Sequence, residues 1–314
     1  MIGCGLWGRN ILRDLIKLGC EVLVVEPDPD NAGAAADAGA ASVVGTSDAL
    51  GAVDGFVVAT PATTHRSVIE NVAAAGLPIF AEKPFTTTVR DAEALADLCG
   101  DRLFIMHVWR YHPGIEELGR IARERSLGDV VGLRTTRTNW TSPRTDVDGI
   151  WTLLPHDVSI ALELFGALPE AEAALAEMHG DVPVGLVGLL RVAHTDAPRT
   201  SGDGSGVRPW LAVDVSTRYT DKRREVRLHC TEGVAVLSGG VSDHILIAHG
   251  GAGSGADTMQ TEKVPISTES ALLRELRAFV DHLGGGPPPR TSAADGVDIV
   301  RTVVHLRSLA GIPG

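Results

Sequence analysis

The chain has 314 residues, of which 44% are hydrophobic and 22% charged, with a formal net charge of −12. Such a composition belongs to a globular protein with enough apolar material for two cores, and the acidic balance argues against nucleic acid or an anionic membrane surface as the main partner. No apolar run approaches the ~20 residues needed to span a bilayer.

In chain order, the first eight residues carry the spacing G-x-G-x-x-G, with Gly3, Gly5 and Gly8. They open into a pattern over residues 9–18 where Ile11, Leu12, Leu15, Ile16 and Leu18 recur at helical spacing. A glycine turn feeding a helix suits a pyrophosphate. The first glycine permits the tight turn, the second lets backbone approach the phosphates, and the third lets the helix sit close to a sheet. The helix start adds free N–H groups and a positive dipole end. Leu6 and Trp7, inside the turn, join the glycines as candidate cofactor contacts. Only Met1 and Ile2 precede the turn, about 7 Å of extended chain, where a doubly wound sheet has its central strand. So short a strand is expected to leave neighbouring backbone groups without ladder partners, and a few apolar residues upstream are expected to raise stability and nucleotide affinity.

Residues 21–25 (EVLVV) read as a buried parallel strand ending at Glu26. A carboxylate there accepts from ribose hydroxyls and repels a 2′-phosphate, which favours NAD over NADP; the competing reading is a solvated turn. A helix over 31–38 and a strand over 41–44 follow, then a strand over 55–60 that stops at Pro61. Doubly wound sheets bind ligands at the C-terminal ends of their strands, so Thr60 and Pro61 are expected to line the cofactor. His65 is read as packing against, or capping, the helix that begins there. A strand over 77–81 delivers Glu82-Lys83-Pro84, a helix covers 89–98, and a strand covers 102–107. This alternation predicts an α/β fold with a Rossmann-type, doubly wound parallel sheet.

Beyond His107 the pattern changes. A helix over 114–124 leads to a strand over 130–139 and a polar loop with Arg144, Asp146 and Asp148. The helix predicted over 150–164 carries His156 and Asp157, although Pro155 equally suits the first turn of a helix starting at that point. Strand-like segments near 171–178, 184–193, 210–219, 223–229, 233–237, 243–248 and 259–265 predict an open, mainly antiparallel sheet. Polar loops separate them, notably 195–208 and 249–257. Helices near 268–283 and 293–310 close the chain. The expected domains are residues 1–107 and 108–314. Lys222-Arg223-Arg224, flanked by Asp221 and Glu225, reads as a solvated strand edge. His244 and His249 fall on opposite faces of a strand, a poor metal geometry, and no metal site is expected. The four cysteines, Cys4, Cys20, Cys99 and Cys230, are scattered and fit reduced thiols in a cytoplasm.

The turn Gly3–Gly8, the strand end Ala59-Thr60-Pro61, the tripeptide Glu82-Lys83-Pro84, and Ile150-Trp151 followed by His156-Asp157 together resemble the glucose–fructose oxidoreductase / inositol dehydrogenase (Gfo/Idh/MocA) family. The resemblance covers essentially the whole chain. It implies a Rossmann domain followed by an α/β domain whose open sheet covers the active site and forms a homo-oligomer interface, dimeric or tetrameric. It implies hydride transfer between nicotinamide and a secondary carbon of a sugar, nucleotide sugar or cyclitol. Lys83 matches the active-site lysine, Glu82 falls on the cofactor side, and His156 matches the acid–base histidine. The chemistry is coherent: an imidazole, with an ordinary pKa of about 6.5, takes a hydroxyl proton near neutral pH, and an ammonium stabilises the developing alkoxide.

One position departs from the pattern. Family members commonly carry an aspartate one helical turn before the histidine; here that residue is Thr152, which cannot stabilise an imidazolium as a carboxylate does. Asp157 projects about 100° around the helix from His156 and is no simple substitute, which leaves Asp146 or Asp148 from the preceding loop. Arg110, Arg134, Arg137 and Arg144 are candidates to meet a substrate phosphate or carboxylate, or else are solvated. Thr152 and Asp157 complete the candidate substrate set. Trp109, Tyr111, Trp140 and Trp151 suit stacking on a sugar or base, or the core. Two alternatives stand beside the dehydrogenase: a catalytically silent dinucleotide-binding regulatory protein of the same fold, and a reductase of another carbonyl or imine.

Overall fold

The computed structural model describes residues 1–141, 144–193, 208–250 and 260–312. The loops expected at 195–208 and 249–257 fall almost wholly outside them. The chain divides into two compact units, Met1–Val108 with Ser270–Val300, and Trp109–Glu269 with Arg301–Gly314. From sequence the first domain ended at 107; the stretch 270–300 is where the two divisions differ.

The first unit alternates short strands and helices: α1 (Gly8–Lys17), β1 (Leu23–Val25), α2 (Pro29–Asp37), β2 (Ser42–Val44), β3 (Phe56–Val58), α3 (His65–Ala73), β4 (Ile79–Glu82), α4 (Val89–Cys99) and β5 (Leu103–Met106). β1 pairs in parallel with β2, and β3, β4 and β5 pair in parallel in that order. Ile2 joins the two groups, bridging Val25 on one side and Val58 on the other. The expected gap in the ladder does not arise. Ile2 N–H donates to Val57 O (2.8 Å) and Ala59 N–H to Ile2 O (2.8 Å), while Val25 N–H donates to Met1 O (2.9 Å) and Gly3 N–H to Val25 O (2.9 Å). The flanking strands are themselves only three residues long, so residues 1–3 suffice to satisfy them.

The second unit contains α5 (Pro113–Glu124), β6 (Val130–Trp140), α6 (Gly149–Phe165), β7 (Glu170–His179), β8 (Val182–Arg191), β9 (Trp210–Ser216), β10 (Arg218–Cys230), β11 (Gly233–Ser238), β12 (His244–His249) and β13 (Gln260–Pro265). Its strands form one eight-stranded sheet in the order β13-β12-β11-β10-β6-β9-β8-β7. Only β6 with β9 is parallel; every other pairing is antiparallel. β10 pairs with β11 only over Glu225–Cys230, so Arg223 and Arg224 pair with β6 alone and the β11 side of the Lys222-Arg223-Arg224 run is an open strand edge. Arg223 is exposed and paired with Asp221, but Arg224 is half-buried, donating to Thr138 O (2.8 Å) and Asn139 Oδ1 (2.9 Å), and burial lowers its pKa to about 10.

α6 starts at Gly149, not at Pro155. Asp148 caps it, its carboxylate accepting from Ile150 N–H (3.0 Å) and Trp151 N–H (3.1 Å), and Gly166, at φ 74°, ends it. Pro155 sits inside and costs the helix one amide hydrogen bond. The closing helices are α7 (Ala271–Leu283) and α8 (Ala293–Leu309). α7 places Leu272, Leu276 and Phe279 in the core of the first unit with Met1, Ile11, Leu15 and Phe80; the Phe80 and Phe279 rings stack with centroids 4.9 Å apart. Among the described residues no helix is long and apolar enough to cross a membrane.

Candidate active site

The predicted cofactor residues gather in the first unit at the C-terminal ends of its strands. Gly3 adopts φ +84°, and a Cβ there would meet Ala59 O at 2.7 Å, so only glycine closes this turn. A Cβ on Gly5 would meet nothing within 4 Å: the backbone is bare at that point and open to an approaching group. α1 begins with Trp7 as its N-cap and no side-chain cap bond; Arg9 N–H donates to Gly5 O (3.1 Å) and Asn10 N–H to Trp7 O (2.9 Å), and no side chain occupies the positive end of the helix dipole, where a ligand anion is favoured. Glu26 is buried, and its carboxylate accepts from Cys4 N–H (2.7 Å) inside the turn and from Asp28 N–H (3.1 Å). Arg9 Nη2 donates to Asn31 Oδ1 (2.8 Å), tying the start of α1 to that of α2. An open glycine, an uncapped helix start and a carboxylate at the end of the second strand fit a dinucleotide: pyrophosphate on the turn, ribose on Glu26.

At the end of β4, Glu82 is buried and serves two donors. Trp7 Nε1–H donates to its Oε1 and the Lys83 backbone N–H to its Oε2 (3.0 Å). Lys83 is half-buried. The Thr64 hydroxyl donates to Pro61 O (2.8 Å) and lies within hydrogen-bond distance of the Thr60 hydroxyl (2.9 Å). His65 is fully buried, its ring nitrogens facing Phe85 O (3.1 Å) and Thr60 O (3.0 Å). It packs, as read from sequence, and in doing so links the strand end at Thr60 to the segment after Lys83-Pro84.

The acid–base candidate lies in the second unit. His156 is half-buried on α6, with Thr152 one turn before it on the same helix. The Thr152 hydroxyl donates back to Asp148 O (2.9 Å). Neither proposed substitute carboxylate is spare: Asp148 caps the helix and accepts from Arg307 (2.7 Å), and Asp146 accepts from Arg144 at 2.9 and 2.6 Å. Asp157 is fully buried, and Arg137 donates to both its oxygens (2.9 and 3.1 Å), so it is engaged inside the fold and does not face a solvent-open substrate space. Arg137 is buried too and lies over the Trp109 ring at 4.2 Å. Arg110 donates to Glu163 (3.0 Å). Arg144 instead helps to line a cavity of about 520 Å³ with Asp146, Asp148, Pro183 and Thr217.

Residues 1–108 match the oxidoreductase family with an NAD-binding Rossmann fold. These residues thus carry the NAD-binding Rossmann domain of the Gfo/Idh/MocA oxidoreductases. Among the chain's relatives, the UDP-N-acetylglucosamine 3-dehydrogenase of Acidithiobacillus ferrooxidans is 28% identical over 82% of this chain and 79% of its own length, and an inositol 2-dehydrogenase of Rhizobium meliloti is 30% identical over 60% and 61%. In fold, a crystal structure of the Acidithiobacillus enzyme matches 98% of this chain and 95% of its own with a TM-score of 0.79 at 23% identity. Levoglucosan dehydrogenase in complex with NADH and levoglucosan matches 99% and 96% with a TM-score of 0.81 at 17% identity.

Three features of the site escaped the sequence. The Trp7–Glu82 bond joins residues 75 positions apart. The Arg137–Asp157 pair joins a strand and a helix by their inward faces. Asp148 as the cap of α6 was the legible one: an aspartate directly before a helical pattern is an N-terminal signal.

Proposed function

We propose that the protein is an NAD-dependent dehydrogenase acting on a secondary alcohol of a sugar, nucleotide sugar or cyclitol. The observation that carries this reading is the end of β4, where Lys83 follows a buried carboxylate bonded to the glycine turn. The names of the relatives, a nucleotide-sugar dehydrogenase and a cyclitol dehydrogenase, support the substrate class. Residues 1–107 serve as the dinucleotide-binding domain and residues 108–314 as the substrate-binding domain. NAD supplies the hydride acceptor. The glycine turn, Glu26, Thr60, Pro61 and Glu82 hold it; the His156 imidazole takes the proton of the substrate hydroxyl, and the Lys83 ammonium hydrogen-bonds the same oxygen as charge develops on it. Arg110, Arg144 and Thr152 are the proposed substrate contacts, while Asp157, clamped by Arg137, fixes the orientation of α6 around His156.

The test is a panel of sugars, nucleotide sugars and cyclitols with NAD or NADP, followed by nicotinamide absorbance, with Lys83→Ala and His156→Ala as controls. Turnover that survives both substitutions overturns the assignment. A second reading, a silent dinucleotide-binding protein, is favoured by Thr152 in place of a carboxylate and by the engagement of Asp146 and Asp148. Calorimetric NAD binding without turnover of any compound would select it.

We also propose a cytoplasmic homo-oligomer assembled through the second unit's sheet. Leu175, Val187 and Leu189 are at least half exposed, and Leu175 pairs directly with Val187 across β7 and β8. Sedimentation of Val187→Glu as a smaller species than the parent chain is the expected result; an unchanged value would sink this interface.

A further inference from the structure

Glu82 is 6% exposed, yet its carboxylate is shared between two places in the first unit. One oxygen accepts from the Trp7 indole N–H and the other from the Lys83 backbone N–H at 3.0 Å. The Trp7 side chain is 47% exposed and its neighbour Leu6 75% exposed, at a turn where Gly5 leaves the backbone open. Two large apolar side chains standing in solvent beside a helix start without a side-chain cap offer surface for a ligand to cover. A planar indole held by one hydrogen bond keeps a face available for stacking on an aromatic ligand. The buried anion costs desolvation, and two donors at hydrogen-bond distance offset it.

We propose that Glu82 is a latch between cofactor and lysine. It holds the Trp7 indole as a wall of the dinucleotide site and, with its other oxygen, holds the backbone of Lys83. Occupancy of the glycine turn is thereby coupled to the position of Lys83. This deepens the NAD-dependent reading and rests on it. Trp7 and Glu82 are positioning residues: neither is assigned a proton or a hydride.

The experiment is NADH titration read by energy transfer from tryptophan to bound NADH. Trp7 is the one tryptophan of the first unit, the other four lying in the second. In the parent chain NADH binding quenches tryptophan emission and sensitises NADH emission. Trp7→Phe keeps the ring and removes the N–H; it is expected to lose most of the transfer and to weaken NADH binding about fivefold, and Glu82→Gln to weaken it about tenfold. The double variant is expected to bind no more weakly than Glu82→Gln alone, because both changes break one interaction. Losses that multiply, or a Trp7→Phe protein with parent-like affinity and transfer, overturn the latch. A parent chain that binds no NADH overturns the cofactor reading with it, so the two failures are distinguishable. Thermal unfolding without NADH checks that Glu82→Gln folds; if it does not, Trp7→Phe alone decides by its transfer and affinity.

Discussion

Around the glycine turn, side chains are held by backbone. Glu26 is fixed by amides of Cys4 and Asp28, Glu82 by the amide of Lys83, and His65 by two carbonyl groups. Around α6, side chains are held by other side chains: Asp157 by Arg137, Arg137 over Trp109, Asp148 by Arg307, Arg110 by Glu163. A backbone partner is supplied by the fold whatever the sequence, so, the Trp7–Glu82 pair apart, each of these cofactor residues depends on its own identity alone. A side-chain partner must be chosen together with its mate, so the residues around His156 stand or fall in pairs.

The largest effect is expected at the histidine itself. His156→Ala should lower kcat by roughly 10²–10⁴-fold, the usual worth of general acid–base catalysis, while NADH binding is retained; steady-state kinetics with the best substrate of the panel checks it. Next comes the buried pair. Asp157→Ala leaves the Arg137 guanidinium buried without its anion and should cost about 3–5 kcal/mol in urea unfolding, whereas Arg137→Met with Asp157→Leu should recover most of that loss. If single and double variants unfold alike, the pairwise picture of α6 fails. Gly3→Ala, by contrast, has no rescuing mate. With φ at +84° and Ala59 O in the way, it should cost about 3 kcal/mol and weaken NADH binding with it. The smallest effect is at Glu26. Glu26→Ala should weaken NAD about tenfold and NADP less, since the lost carboxylate also repelled a 2′-phosphate; equal losses in paired titrations would remove that account of selectivity.

The same contrast explains what was readable in the sequence. Gly3, Gly5, Glu26, Thr60 and Lys83 each sit at the end of a strand, and strand ends are fixed by local apolar runs. The order of strands in the large sheet was not local: β6 pairs with β10 on one side and β9 on the other, partners about 80 residues away. Arg137 and Asp157 looked like ordinary polar residues because nothing in their neighbourhood announces that both point inward. The helix expected from residue 150 is α6, and the Asp148 cap decides against the later start that Pro155 offered. Helix α7 showed its apolar face but not the face it would meet, since a hydrophobic stripe does not name its partner.

That helix sets a timetable for synthesis. Leu272, Leu276 and Phe279 complete a core begun by Met1, Ile11 and Phe80, yet the whole stretch 109–269 is translated between them. At about 5–20 residues per second, the wait is on the order of 10–30 s. Throughout that interval the nascent first unit carries an uncovered apolar surface where α7 will dock, while the second unit is made except for Arg301–Gly314. The first unit is opened by residues 1–108 and closed only by 270–300, and it is this nascent cofactor domain that a chaperone would have to shield.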